Sequence, residues 1–219
     1  MDPDELLTVA RTAAQAGART AMAWRERANR LLIEEKEGPD DLVSQADRDT
    51  ERAIRMVLAQ HRPQDGVLGE EDGATAGRAD VRWIVDPIDG TTNYLYGRPD
   101  WAVSVAAAEV AGGRLLAGVV IEPALDPLTW VRSPARAVAT GRADALWAPG
   151  LQSWDCAAGA LLVLQAGGTV GDLVAPSPGT WPASGDVLAA PPPMWTQLRA
   201  LLADVYPPLA MVGVRHREG

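Results

Sequence analysis

Apolar positions recur at two different spacings along this chain, and the change from one spacing to the other lays out the elements. Leu6, Val9, Ala10, Ala13 and Ala21 follow helical spacing behind Asp2-Pro3-Asp4-Glu5. Asp2 can cap, Pro3 suits the first helical position and Glu5 completes a capping box, so an Ala-rich amphipathic helix is predicted to about Asn29. Ser44-Gln45-Ala46-Asp47 opens a second helix that reaches about His61, ahead of Pro63. Residues 66–73 read as a short strand ending in the acids Glu70, Glu71 and Asp72, and 74–80 as an exposed loop. Trp83-Ile84-Val85 is a buried strand that runs into Asp86 and is stopped by Pro87. Residues 101–109 and 115–122, joined through Ala111-Gly112-Gly113, give a hairpin signal. Strands are further predicted at 128–131, 143–147 and 187–190, and helices at 134–140 (closed by Gly141) and 193–204. Ser153 is predicted to cap another helix that runs to about Ala166 and ends at Gly167-Gly168. There are no repeats and no clear linker, and the end, 215–219, reads as frayed.

Composition narrows the classes. A chain of 219 residues, 47% of them hydrophobic, supports one large domain or two small layered ones. It contains no apolar run of the about 18 residues that a membrane helix needs, and its acidic start lacks a secretory pattern. The single cysteine, Cys156, excludes an internal disulfide and fits a reducing cytoplasm. With no His near it in sequence, it reads as a small core residue rather than a nucleophile. A net charge of −9 argues against nucleic acid as the main partner, and no membrane partner is expected.

The chemistry concentrates in residues 83–93. A strand that ends in Asp86-Pro87-Ile88-Asp89 presents two carboxylates at one end of a sheet. Carboxylates that close repel unless a proton or a cation lies between them. Oxygen-only ligands favour hard cations such as Mg²⁺. Gly90-Thr91-Thr92 can open a helix whose free N–H groups would hold an anion beside that cation. Metal and anion together point to a phosphate ester. The acids after residue 69 make a shared metal site reasonable. Asp47 and Asp155, by themselves, read as ordinary first-turn acids that complement a helix dipole.

Asp86-Pro87-Ile88-Asp89-Gly90-Thr91-Thr92-Asn93, Gly69-Glu70-Glu71, Trp154-Asp155-Cys156-Ala157-Ala158-Gly159 and Asp41-Leu42-Val43-Ser44-Gln45-Ala46-Asp47 together resemble the motifs of the inositol monophosphatase family, Mg²⁺-dependent and lithium-sensitive phosphatases. The resemblance spans about residues 36 to 168 and thins toward the C-terminal end. It implies an α/β fold of alternating helix and sheet layers, of the inositol monophosphatase and fructose-1,6-bisphosphatase type. Residues 1–219 would form a single unit, with an N-terminal part over 1–125 and a shortened C-terminal part over 126–219. It implies two or three Mg²⁺ ions held by Glu70, Asp86, Asp89, Asp155 and the carbonyl oxygen of Ile88, with Asp86 bridging. Glu71 matches a position acting through water, Thr91 and Asp47 the pair that orients the attacking water, and Gly90 and Thr91 the backbone donors to phosphate. Lys36 falls near the site. The implied reaction is hydrolysis of a small phosphate monoester, with inositol 1-phosphate the leading substrate, in a cytoplasmic protein that can form a homodimer.

The chain departs from the family pattern between Glu122-Pro123 and Asp144. Residues 128–144 compress a longer region, with Arg132-Ser133-Pro134-Ala135 as its remnant and Gly141-Arg142-Ala143-Asp144 as a further family match. A Glu that family members use for the inositol ring, seven residues before the Trp-Asp aspartate, is Ala148 here. Histidinol phosphate, fructose 1,6-bisphosphate and 3′-phosphoadenosine phosphates therefore stay open as substrates, as does a non-catalytic metal-binding regulatory protein. Asp89-Gly90-Thr91 also suggests an aspartyl-phosphate phosphatase of the haloacid dehalogenase type. That chemistry needs aspartates two residues apart, and Asp86 and Asp89 are three apart.

Overall fold

The computed structural model describes residues 2–27, 33–35, 42–124 and 143–206. Lys36, the strand predicted at 128–131, the helix at 134–140, the remnant at 132–135 and the end at 215–219 lie outside the described residues.

Helix α1 (Pro3–Glu26) has the predicted cap, with the Asp2 carboxylate accepting from the Asp4 N–H at 3.0 Å and Pro3 inside the first turn, while Glu5, read as completing a capping box, accepts from Arg62 at 3.2 Å. Its buried stripe, Leu6, Val9, Ala10, Ala13, Ala14, Gly17, Ala18 and Ala21, is made almost wholly of small residues. Small side chains let α1 approach α2 (Gln45–His61) closely, and at Gly17 the Ile54 side chain of α2 leaves no room for a Cβ. Between the two helices lies an antiparallel pair, β1 (Ile33–Glu35) and β2 (Leu42–Ser44).

The main sheet has five strands in the order β4-β3-β5-β6-β7: β3 (Gly66–Gly69), β4 (Gly73–Thr75), β5 (Val81–Asp89), β6 (Ala102–Glu109) and β7 (Leu115–Ile121). Strands β3 and β5 run parallel, and the other pairs are antiparallel. The hairpin of β6 and β7 stands where the sequence puts it. Strand alternation sorts the side chains by face. Val81, Trp83, Val85, Val103, Val105, Ala107, Ala117 and Val119 face α1 and α2, while Ile84, Ala102, Ala106 and Val120 face the opposite way.

That second face is covered by α4 (Ser153–Gln165), whose Cys156, Ala157, Ala158, Ala160 and Val163 are buried in the same cluster. Beyond α4 lies a second sheet in the order β8-β10-β9, formed by β8 (Leu146–Ala148), β9 (Thr169–Gly171) and β10 (Val187–Ala190). Helix α5 (Pro192–Ala203) packs on β10 through the buried Trp195. The result is a stack of alternating helix and sheet layers. Near the main sheet, the five-residue helix α3 (Thr91–Leu95) is fixed to α1 by the Tyr94 hydroxyl donating to the Ala21 carbonyl at 2.8 Å. Tyr94 meets Trp101 edge to face at 4.9 Å, and the Arg25 guanidinium lies over both rings and donates to the Gly97 carbonyl.

Four sequence expectations are corrected. Pro87 does not stop β5: the strand continues to Asp89 through a register shift between Asp86 and Asp89, and a bulge is one of the few places a central strand tolerates proline. Residues 66–73 are a strand and a turn that leads into β4 rather than one strand, and β4 runs on from Gly73 into the segment read as a loop, because it pairs with β3 as an edge strand. The strand predicted at 143–147 is Leu146–Ala148. The cap of α4 is Gln152 rather than Ser153. Strand β9 was not expected at all; three residues after a Gly-Gly helix end are too few for a period to show.

A Cβ at Gly17 would lie 2.8 Å from the Ile54 side chain and 3.2 Å from Val103 Cγ1. Gly17→Val is expected to lower stability by about 2 kcal/mol through overpacking, measured by urea denaturation beside the exposed control Thr8→Ala. Wild-type stability in Gly17→Val would show that the α1–α2 contact is loose.

Candidate active site

Register brings the acids together. Strands β3 and β5 are parallel with Gly69 opposite Val85, so the next residues, Glu70 and Asp86, lie side by side where β3 ends and β5 runs on. The Glu70 N–H donates to the Val85 carbonyl at 3.3 Å, which fixes the turn to β5 one residue before Asp86. Strand β7 is antiparallel to β6, as β5 is, so its C-terminal end emerges on the same side. Glu122, the residue after β7, is buried there. Helices α2 and α4 deliver Asp47 and Asp155 from their first turns.

Asp86 is 1% exposed, and its Oδ1 is buried without a hydrogen-bond partner. Burial pushes its carboxyl well above the usual range, and the charges of Asp89, Glu70, Asp155 and Asp47 add to the effect. Asp89 is raised to about 7 by burial, then by Asp155 and Glu122. Asp155 is raised by burial, opposed by the Gln152 N–H that donates to its Oδ2 at 2.7 Å. The dipole-capping role that the sequence allows for Asp155 is therefore real, and it occupies one of the two carboxylate oxygens. Asp47 is fully buried and accepts from the Thr91 hydroxyl at 3.2 Å. The same hydroxyl lies 3.1 Å from the Ile88 carbonyl oxygen. Gly90 holds φ +87° at the start of α3, where a Cβ would come within 3.2 Å of the Asp100 carbonyl oxygen, so glycine is required at this turn.

A buried, unpartnered carboxylate oxygen ringed by acids is a cation's environment. Oxygen donors alone suit a hard divalent ion. Among the described residues, no three His, Cys, Asp or Glu side chains already close around one point. Cys156 has no part in this chemistry. It is buried, its thiol donates to the Gln152 carbonyl at 3.2 Å, and burial pushes it up to about 12.

The structure brings Asp47, Glu70, Asp89 and Asp155 into electrostatic range of Asp86 at one sheet end, with Ile88, Gly90 and Thr91 at the junction of β5 and α3. Glu71 sits in the turn beside Glu70, where its N–H donates to Glu51. Two acids were missed. Glu122 could have been found by hairpin parity, since a strand running the same way as β5 must end at the same side. Glu51 lies one helical turn after Asp47, and nothing in its spacing separates it from a surface acid. Ala148 ends β8 opposite Val187, so a methyl stands where the family pattern has a carboxylate.

The chain matches the sequence model of the inositol monophosphatase family over residues 2–137 and 134–206, two pieces that meet inside the stretch read as compressed. It is 35% identical over 198 residues to an inositol-1-monophosphatase of Mesorhizobium japonicum, covering 62% of this chain and 74% of that protein. It is 30% identical over 233 residues to the Nus factor SuhB of Pseudomonas aeruginosa, covering 76% and 85%. Its fold superposes on the crystal structure of the extragenic suppressor protein suhB from Bartonella henselae with a TM-score of 0.79, at 28% identity over 90% of this chain and 98% of that one.

Raised carboxyl values have a defined sign in stability. The folded state keeps protons on Asp86 and Asp89 that the unfolded chain releases near pH 4, so their contribution is full below about pH 4; that of Asp89 is lost as pH rises through about 7, and that of Asp86, also raised, is lost in the same direction. The melting temperature in chelator is expected to fall by several degrees between about pH 5 and about pH 8, and excess Mg²⁺ is expected to remove the fall. A chelator profile that is flat or rising across that window would contradict the electrostatic account.

Proposed function

Because the chain belongs to the inositol monophosphatase family and is a phosphomonoester hydrolase, we propose that it hydrolyses a small phosphate monoester at the end of β5 in a Mg²⁺-dependent reaction. Inositol 1-phosphate is the leading substrate. Glu70, Asp86, Asp89, Asp155 and the carbonyl oxygen of Ile88 would hold the ions. The observation that carries this assignment is the buried, unpartnered Asp86 oxygen among Glu70, Asp89 and Asp155. The chemistry supplied by bound Mg²⁺ is activation of water as a nucleophile and neutralisation of phosphoryl oxygens.

The chain's own residues position the reactants. A Thr91 hydroxyl that donates to Asp47 turns its lone pairs outward, where they would accept a hydrogen bond from water; a proton taken up there would be balanced by the Thr91 proton passing to the Asp47 carboxylate. Asp47, buried under α3, keeps that polarity fixed. The Gly90 and Thr91 N–H groups sit where a helix leaves its first donors without intrahelical partners, and they suit phosphate oxygens. The wall that would read the rest of the substrate is weaker. Ala148 offers no hydrogen bond to a ring hydroxyl, so other phosphate esters belong in the substrate panel.

The test is phosphate release from inositol, histidinol, fructose 1,6-bisphosphate and 3′-phosphoadenosine phosphates, with and without Mg²⁺. One ester should be turned over, and only with Mg²⁺. Asp86→Asn and Asp89→Asn should each reduce turnover by about 10³-fold or more while keeping the circular dichroism of the wild type. Thr91→Ala should lower kcat by about 10²-fold with Mg²⁺ affinity unchanged. Millimolar Li⁺ should inhibit. A folded, Mg²⁺-binding protein that cleaves no ester would contradict the substrate reading and favour a metal-binding regulatory protein.

A further inference from the structure

Helix α2 carries Asp47, Glu51 and Arg55 at intervals of four residues, one turn apart on one face. Asp47 belongs to the site. Glu51 and Arg55 do not, yet Glu51 is fully buried. Its Oε2 accepts from the Glu71 N–H at 2.8 Å, and its Oε1 from the Asp72 N–H at 3.1 Å and from Arg55 Nε at 2.7 Å. Arg55 reaches on to the Gly73 carbonyl at 2.5 Å and the Thr75 hydroxyl at 3.1 Å. Gly69 has no room for a side chain, because a Cβ there would lie 2.2 Å from Glu51 Oε1. The Glu51 carboxylate therefore fills the space beside the last residue of β3, and the pair holds the turn of residues 70–72 from its first strand to its second.

We infer that Glu51, braced by Arg55, is the positioning residue that sets Glu70 beside Asp86, so that α2 places two parts of the site at once. This rests on the metal-site reading of Glu70 and Asp86 above. Charge-assisted bonds to backbone N–H groups are stronger and shorter than neutral ones. A carboxylate is the one side chain of this length that can accept from both turn N–H groups and a guanidinium together. Held this way, the turn keeps Glu70 in place against the repulsion of Asp86, which a loose turn would relieve by swinging outward. Removing the grip should cost ion affinity rather than the chemical step, because Thr91 and Asp47 are untouched.

The experiment is calorimetric Mg²⁺ binding to the full chain, well below its melting temperature, for wild type, Glu51→Gln, Arg55→Lys and Leu58→Ala. Glutamine keeps the shape of Glu51 but turns an amide N–H toward a backbone N–H. Glu51→Gln is expected to weaken Mg²⁺ binding by about tenfold, with kcat at saturating Mg²⁺ little changed. Arg55→Lys, which keeps a cation beside Glu51 but loses the bonds to Gly73 and Thr75, should shift binding less in the same direction. Leu58→Ala removes a core side chain of α2 without touching the turn, and should lose stability while binding Mg²⁺ as the wild type does. If Glu51→Gln fails to fold, Arg55→Lys decides. Wild-type affinity in the folded Glu51→Gln, or a shift in Leu58→Ala as large as its own, would overturn the inference. A wild type that binds no Mg²⁺ would overturn the metal reading itself, and this inference with it.

Discussion

Buried negative charge is the constraint on which the site depends. Asp86 sits at the end of the central strand with an oxygen that no donor reaches, and Asp89, Glu70, Asp155 and Asp47 all push its proton affinity upward. Desolvating one carboxylate is already costly, and gathering several is more so unless protons or cations enter. The rest of the fold reads as the framework that enforces this arrangement. The parallel pairing of β3 with β5 sets two acids side by side, the hairpin returns a third acid, Glu122, to the same end, and two helices present Asp47 and Asp155 by their first turns.

Holding such groups together takes contacts that contain no ligand atom. On one side α3 is pinned to α1 by Tyr94, Trp101 and Arg25, which fixes the loop bearing Gly90 and Thr91. On the other the turn of residues 70–72 is gripped by Glu51 and Arg55. Asp155 is held differently, through its own capping bond to the Gln152 N–H, while the loop before it is tied by the Leu151 N–H to the Gly185 carbonyl at 2.8 Å. Asp47 is held through the Thr91 hydroxyl, Asp155 by a backbone N–H, and Glu70 through the turn that carries it. Small residues on α1, where it meets α2, and on α4, where it meets the sheet, allow those elements to approach closely.

Much of this was legible in the chain itself. The capped start of α1, the Asp-rich end of β5 and the hairpin carry local signals strong enough to survive folding. The acids of residues 70, 86, 89 and 155 were also in view, because they belong to short motifs in a fixed order. What was hidden depended on partners distant in sequence. Pro87 looked like a stop because proline removes a ladder donor, and only the bulge opposite β6 lets the strand continue to Asp89. Strand β4 exists because β3 is there to pair with it. Nothing in its spacing separates Glu51 from a surface acid, and its burial follows from a turn whose N–H groups lie 20 and 21 residues away in the chain. Ser153 lost the cap of α4 to Gln152 by a single residue, the usual margin at helix ends.

The claim that this sheet end is built for a divalent cation can be tested by growing crystals in Mn²⁺ and recording the anomalous scattering of the ion. The account predicts an anomalous peak within about 2.5 Å of an Asp86 carboxylate oxygen, shared with at least one of Glu70, Asp89 and Asp155 drawn inward around it. Well-ordered crystals in which that end of β5 carries no manganese, with Asp86 protonated and bonded to a neighbouring carboxylate, would contradict it.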